Sequence, residues 1–303
     1  MRFHAIHRHT KDSASSPFTA DRQGHLTKND SLQDRFLEKM YGSSLGRCLL
    51  KPLVHPLVSQ IGGWFLDTRL SALAVPSFIK KHHIVMEDYQ PKNYRSYNDF
   101  FTRKIREGRR EIDHTPTHFI SPCDCRLSVY PIHEKCLVKI KHTPYTVTEL
   151  LKNPSLAKQY EGGYLWVFRL CVDDYHRYIY VDQGKESNRV HIPGVFHTVN
   201  PVANDVYPIY KENTREYSLL KSEHFGTVLM MEVGALMVGK IVNHPMKKTV
   251  HRGEEKGHFA FGGSTIILMT QKDKVRPDSD LLSNSKEGIE TRVLMGEKIG
   301  ETY

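Results

Sequence analysis

Apolar positions along the chain fall into two textures. From Ser31 to about Lys81 they recur at helical spacing: Phe36, Met40, Leu45, Leu49 and Leu50, then Leu53, Val54, Leu57, Val58 and Ile61 past Pro52 and Pro56. A further amphipathic piece holds Trp64, Phe65, Leu70, Leu73 and Val75, flanked by Lys51, Arg69, Lys80 and Lys81. Two readings fit these helices: elements lying in a lipid headgroup region, or an ordinary helical subdomain packed on the core. A short helix is predicted over 96–104, with Ser96 as N-cap and Asp99 three residues later.

Beyond Pro116 the period shortens. Runs rich in β-branched and aromatic residues alternate with turn residues: 127–130, 137–140, 164–168, 178–181, 195–199, 227–231, 236–238 and 264–269, with one short helix over 146–151. There is no helix–strand alternation of the doubly wound kind and no fixed repeat. The pattern predicts an α+β protein: a poorly ordered tail over 1–30, a helical N-terminal region over 31–110, a β-dominated core over 111–275, and a polar, turn-rich C-terminal tail over 276–303.

Charge adds a partner class. Among 303 residues, 43 are basic and 34 acidic, a formal net charge of +9. That excess favours an anionic partner such as nucleic acid, substrate phosphate or an anionic membrane surface, with plain solubility as the other reading. No zinc finger, aromatic RNA-binding motif or long Lys/Arg run supports nucleic acid. Five cysteines without a CxxC pair indicate neither a disulfide framework nor a zinc site, so no metal is expected and a reducing compartment fits. The N-terminus lacks the apolar stretch of a secretory signal, and no window holds the roughly 18 apolar residues of a membrane span.

Three places carry candidate chemistry. Ser121-Pro122-Cys123-Asp124 is a turn that delivers a carboxylate into a strand. Asp173-Asp174-Tyr175-His176-Arg177 is either a solvated charge cluster or a base oriented by an acid. Gly262-Gly263-Ser264-Thr265 sets a hydroxyl beside a backbone freed by two glycines, so the hydroxyl can attack the preceding carbonyl if a base takes its proton. Together they hold the parts of a Ser-His-Asp arrangement. The G-x-S-x-G elbow of a serine hydrolase is absent.

From about Tyr94 to Leu268 the chain resembles the phosphatidylserine decarboxylase family. The resemblance rests on segments in the family's order: Tyr94–Lys104 against F-N-x-F-F-x-R, Ser121–Asp124 against S-P-x-D, and Asp174–Arg177 against D-Y-H-R. It continues through Ile192-Pro193-Gly194 with Thr198–Pro201, Asn213–Glu216, Val233–Ala235 with Val238–Ile241, Gly253–Phe259 and Gly263–Thr265. It implies autocatalytic cleavage between Gly263 and Ser264, with Ser264 as nucleophile, His176 as base and Asp124 as the carboxylate that orients it. Ser264 would become a covalent pyruvoyl group (pyruvate as cofactor) that forms a Schiff base with substrate and accepts the electron pair left by CO2. The implied product is phosphatidylethanolamine, made from phosphatidylserine at an anionic membrane. The implied location is peripheral, on the cytoplasmic face of the cell membrane. The implied assembly is a heterodimer of the two cleavage fragments, with a homodimer of these as a further option.

Two departures from the family pattern stand out. Many members carry a second histidine where this chain has Ile179; His197 is one candidate to replace it, and a hydrogen-bonded structural histidine is its other reading. Cys125 stands where S-P-x-D-G has glycine, so the loop at Asp124 is expected to differ locally. Two rival functions stay open: a decarboxylase of the same fold acting on a soluble amino acid, and a non-enzymatic basic binding protein.

Overall fold

The computed structural model describes residues 18–28, 40–41, 43, 46, 56–140, 143–198, 208–235, 240–260 and 264–303. In chain order the strands are β1 (Phe18–Ala20), β2 (Leu26–Lys28), β3 (His118–Ile120), β4 (Cys125–Pro131), β5 (Leu137–Ile140), β6 (Thr143–Thr146) and β7 (Tyr164–Leu170). Then come β8 (Arg177–Ile179), β9 (Gly184–Glu186), β10 (Val190–Ile192), β11 (Arg215–Ser222), β12 (Thr227–Val233) and β13 (Ile241–Asn243). The series ends with β14 (Thr249–Val250), β15 (Glu255–Phe259), β16 (Ser264–Thr270), β17 (Val275–Pro277), β18 (Glu290–Val293) and β19 (Lys298–Thr302). The helices are α1 (Pro56–Leu66), α2 (Val75–His82), α3 (Tyr97–Phe101), α4 (Val147–Leu151), α5 (Pro154–Lys158), α6 (Ile209–Glu212) and α7 (Ser279–Lys286), with a 3-10 turn at Arg69–Ala74 before α2.

The fold is mostly β with some helices. One large sheet runs β14-β9-β11-β12-β16-β7-β4-β18-β1-β2, with β10 added beside β11. Its middle strands β12, β16 and β7 are antiparallel neighbours, with Val233 opposite Thr265 and Ser264 opposite Leu170. Successive side chains of a strand point to opposite faces. Ile266, Leu268, Phe168, Leu170 and Met230 therefore enter one core, which also holds Tyr178, Ile179 and Phe259 of a second sheet, β13-β15-β8. Ile267, Met269, Val167, Met231 and Val233 enter the other, covered by α4, α5 and α6. Burial on both faces explains why these strands read as unbroken apolar runs.

Local signals operate as the sequence implies. The Ser96 hydroxyl accepts from the Asp99 amide at the start of α3, and Thr146 with Glu149 forms a capping box on α4. Gly194 and Gly257 lie where chains cross closely: a Cβ would stand 2.2 Å from the Glu212 carbonyl oxygen and 2.5 Å from that of Val242.

Several expectations are corrected. Residues 276–303 are no tail, because β18 pairs with β4, and β19 pairs with β3 and β17. Within 1–30, residues 18–28 form a hairpin whose first strand pairs with β18, while 1–17 lie outside the described residues. Over 195–199 only an isolated bridge, Val195 to Asn213, forms among the described residues. The run at 236–238 and most of 31–55 lie outside the described residues.

Between the large sheet and β13-β15-β8 lies a polar group of unusual depth. Lys256 and Glu232 are both wholly buried and joined at 2.7 Å. Asn243 donates to Glu232 at 3.2 Å and to Glu216 at 2.6 Å. Burial raises the Glu232 pKa, against the pull of Lys256. Lys256→Met would leave that acid without its cation and should destabilise the fold by about 3–5 kcal/mol. Adding Glu232→Gln to Lys256→Met should recover most of the loss in urea-unfolding measurements.

Candidate active site

Ser264 is the first residue of β16, fully buried, and its hydroxyl has no hydrogen-bond partner among the described residues. Strand alternation turns its side chain to the face of Ile266 and Leu268, toward the second sheet. Phe261, Gly262 and Gly263 lie outside the described residues.

Topology brings the His176 segment to this point from both directions. Leu170, the last residue of β7, pairs with Ser264. From there the chain turns through Cys171–Asp174, with the Asp174 amide on the Cys171 carbonyl at 3.0 Å, and continues through His176 into β8. β8 pairs with β15, and the Phe259 amide donates to the His176 carbonyl at 2.9 Å. Backbone pairing thus ties the histidine's strand to the chain just before the Gly-Gly pair and the histidine's loop to the chain just after it.

The His176 ring is fully buried, with the Phe101 ring at 4.1 Å between centroids. Its Nδ1 stands 2.9 Å from the Asp174 carbonyl oxygen. A carbonyl only accepts, so Nδ1 carries the proton of the neutral ring and Nε2 carries the lone pair. That is the tautomer a general base needs.

Three further bonds clamp the loop to the end of α3. Arg177 donates to the Thr102 carbonyl at 2.7 Å, Arg103 donates to the Asp173 carbonyl at 3.3 Å, and the Tyr175 hydroxyl accepts from the Ile105 amide at 3.3 Å. Arg103 is almost wholly buried, with its guanidinium 4.3 Å from the Tyr89 ring centre.

Asp124 stands close by but is turned elsewhere. Its carboxylate takes Arg110 at 2.6 Å and 2.9 Å and the Met295 amide at 2.8 Å. The strand holding His176 reaches that turn through the Ile179 amide, which donates to the Pro122 carbonyl at 3.0 Å. The oxygen seen on Nδ1 is the main-chain carbonyl of Asp174, whereas the sequence pointed to the Asp124 side chain. His197 is nearly buried, its ring edge-on to Tyr41 in the opposite core and its Nε2 3.4 Å from Glu212.

Sequence reasoning read Phe101 as a core-facing or lipid-interface aromatic, not as a partner of His176, and assigned no role to Arg110 or Asp174. Asp174 sits in the quoted D-Y-H-R segment, and that was its signal; Arg110 lies in a charged run that carried none. Burial pushes the Asp174 carboxyl up to about 7, against the lowering pull of Arg126 at 3.4 Å.

A cleft of about 870 Å³ opens beside this site. Its walls include Trp64 of α1, Thr102, Thr214 and Glu216 of the large sheet's side, and Lys240, His258 and Ala260 of the second sheet's side. Register explains its reach: Arg215, Val233 and Thr265 are opposite one another, so Thr214, Gly234 and Ser264 share the adjoining row.

A family model described as phosphatidylserine decarboxylase matches residues 97–301, from α3 to β19. The chain belongs to the phosphatidylserine decarboxylase family. It is 46% identical over 267 residues to a protein of Clostridium acetobutylicum named phosphatidylserine decarboxylase proenzyme 2, covering 88% of this chain and 91% of that protein. Proteins of Clostridium botulinum and Clostridium novyi named phosphatidylserine decarboxylase proenzyme are each 40% identical, covering 88% of this chain and 92% of theirs. The family match extends through β18 and β19, so the C-terminal strands belong to the family's fold.

The Asp174 carboxyl gives a pH prediction. Its folded pKa lies above the unfolded value of 3.8, so the folded state holds that proton more tightly. This contribution to stability is fully present below the unfolded pKa and is lost as pH rises through about 7. Asp174→Asn should therefore gain stability relative to wild type, by on the order of 1–4 kcal/mol, between about pH 5 and about pH 8 in urea melts.

Proposed function

We propose that this chain is a self-processing, pyruvoyl-dependent phosphatidylserine decarboxylase that releases CO2 and phosphatidylethanolamine. The observation that carries this reading is the buried Ser264 hydroxyl, without a partner among the described residues, at the end of a strand tied by backbone pairing to the His176 loop. Buried polar groups are ordinarily hydrogen-bonded, and an orphaned one at such a place marks a reactive position.

In this mechanism Nε2 of His176 takes the Ser264 proton, and the oxygen attacks the Gly263 carbonyl carbon. The C–N bond breaks and an ester replaces the amide, freeing the amine of residue 264. Elimination then breaks the Cβ–O bond, Gly263 leaves as a carboxylate, and residue 264 becomes dehydroalanine. Tautomerisation and addition of water release ammonia and leave a pyruvoyl group. That ketone supplies an electrophile for the substrate amine and a sink for the electron pair released with CO2. His176, held by the Asp174 carbonyl and the Phe101 ring, serves as base for cleavage and as proton carrier for the decarboxylation step. Asp124 acts through the loop it anchors with Arg110, fixing the turn on which β8 rests.

The lipid substrate, rather than a soluble amino acid, is favoured by the N-terminal layer. Ile61, Trp64, Phe65, Leu70 and Leu73 are exposed, Trp64 by 73% and Leu73 by 80%. Isolated exposed apolar residues are ordinary, but a group of this size on one short stretch favours a lipid surface. Lys80 and Lys81 follow at the end of α2, and the net charge of +9 suits anionic lipid. No helix among the described residues is long and apolar enough to cross a membrane, so attachment is peripheral in this reading, on the cytoplasmic face. Residues 31–110 would form the membrane-apposed layer and 111–303 the catalytic body.

The 264–303 fragment contributes β16, β17, β18 and β19, with β16 between β12 and β7 in the large sheet. Intact mass in denaturant should give two pieces, the smaller beginning with a ketone-bearing residue, while native gel filtration gives one particle holding both. Ser264→Ala should remain one inactive chain; an uncut wild type that still decarboxylates lipid would exclude the pyruvoyl mechanism. Leu70→Asp combined with Leu73→Asp should leave cleavage intact and weaken binding to vesicles containing phosphatidylserine at least tenfold, read by co-sedimentation.

A further inference from the structure

His258 is a histidine that neither the cleavage chemistry nor the structural ion pairs employ. It lies on β15, opposite Arg177 of β8, and its ring lines the cleft two residues before Ala260. Its Nδ1 is buried without a hydrogen-bond partner among the described residues. The cleft's wall at Thr214 shares a strand row with Ser264 across Gly234, which has no side chain to close the way. His258 therefore lines a cleft whose wall at Thr214 adjoins the strand row of Ser264.

We propose that His258 is a substrate-contacting residue that holds the carboxylate of the serine headgroup by donating a hydrogen bond from a neutral ring. The proposal rests on the phosphatidylserine decarboxylase reading and names the group that reads the feature distinguishing substrate from product.

The electrostatics of the position fit this task. Burial, helped by Arg177 and His244 and opposed by Glu255, lowers the pKa of His258 to about 4. At neutral pH the ring has one N–H and no charge. Decarboxylation removes the negative charge of the carboxylate, so a fixed cation on that group would stabilise the ground state more than the transition state and slow the step. An uncharged donor orients the carboxylate with less of that penalty. The charged groups on the cleft do not compete for the role. Glu216, Asp67 and Asp99 are acids that repel a carboxylate, and Lys240 is an exposed amine suited to the phosphate.

The test uses two measurements. Binding of glycerophosphoserine and of glycerophosphoethanolamine to the Ser264→Ala chain, by calorimetry, reads the headgroup preference without any pyruvoyl group. The chain should prefer the carboxylate-bearing probe, and adding His258→Ala should abolish that preference, a loss of about tenfold. Steady-state kinetics of the cleaved enzyme on phosphatidylserine micelles reads the rest. His258→Gln, which keeps a neutral donor, should retain most activity, and His258→Ala should raise KM. His258→Lys should keep or lower KM while kcat falls tenfold or more. Unchanged probe preference in His258→Ala, or undiminished kcat in His258→Lys, would overturn the proposal. A wild type that neither cuts itself nor decarboxylates lipid would defeat the family-based reading separately, because the calorimetric preference would still report on His258.

Discussion

The arrangement of the whole molecule follows from where β16 begins. A strand flanked by β12 and β7 and buried on both faces cannot shift register without moving its apolar residues to the wrong core. Ser264, as its first residue, is therefore fixed to the accuracy of the most deeply buried part of the fold. The proposed cleavage would ask the opposite of the residues just before it, where the sequence places two glycines, Gly262 and Gly263. Backbone pairing through Leu170 and Phe259 then ties the His176 segment to both sides of the transition. The proposed nucleophile and base, Ser264 and His176, are thus both held by sheet pairing.

Low polarity around the site sets the protonation states of its neighbours. The same burial that raises the Asp174 carboxyl lowers the His258 imidazole, since in both cases the charged form is the one disfavoured. Charges that must stay ionised have close partners instead. Lys256 has Glu232, Arg169 has Glu290, and Asp124 has Arg110. The site is consequently surrounded by compensated ion pairs and lined toward the cleft by a neutral ring. This is the environment in which a reaction that destroys a negative charge is favoured over one that merely binds it.

The parts of this design that a sequence reveals are those written in local pattern. β7, β12 and β16 were legible as apolar runs, α3 through its cap, and α4 as one short helix between strands. β11 was not, although it is a long strand of the large sheet. Its Arg215 is buried because the guanidinium donates to the carbonyls of Leu150, Lys211 and Asn213, so a residue that reads as surface is satisfied by main chain. β18 was hidden in the same way, its Glu290 being matched by Arg169 from β7. Ser264, His176 and Asp124 were singled out as candidates through motifs. Phe101 and His258 lie inside quoted motifs, but where their side chains stand depends on which chain segments meet in space, and Arg110 lies in a charged run that announced nothing.

The N-terminal layer is joined to the chemistry more closely than an anchor would require. Val75, Tyr97, Phe100 and Phe101 form a small core with Leu66, Phe78 and Ile79, so α1, α2 and α3 pack as a unit. Phe101 of that core lies on the His176 ring, and the Thr102 carbonyl just beyond it accepts from Arg177. Trp64 of the same unit presents its ring both to solvent and to the cleft wall. On the lipid-substrate reading, the surface that meets the bilayer and the surface that backs the base are therefore opposite sides of one packed layer. The depth at which the layer sits in the headgroup region then sets how far a serine headgroup must travel to reach residue 264. On that reading, a cleft lined by both Trp64 and Ala260 would let the headgroup make that journey while the acyl chains stay with the membrane.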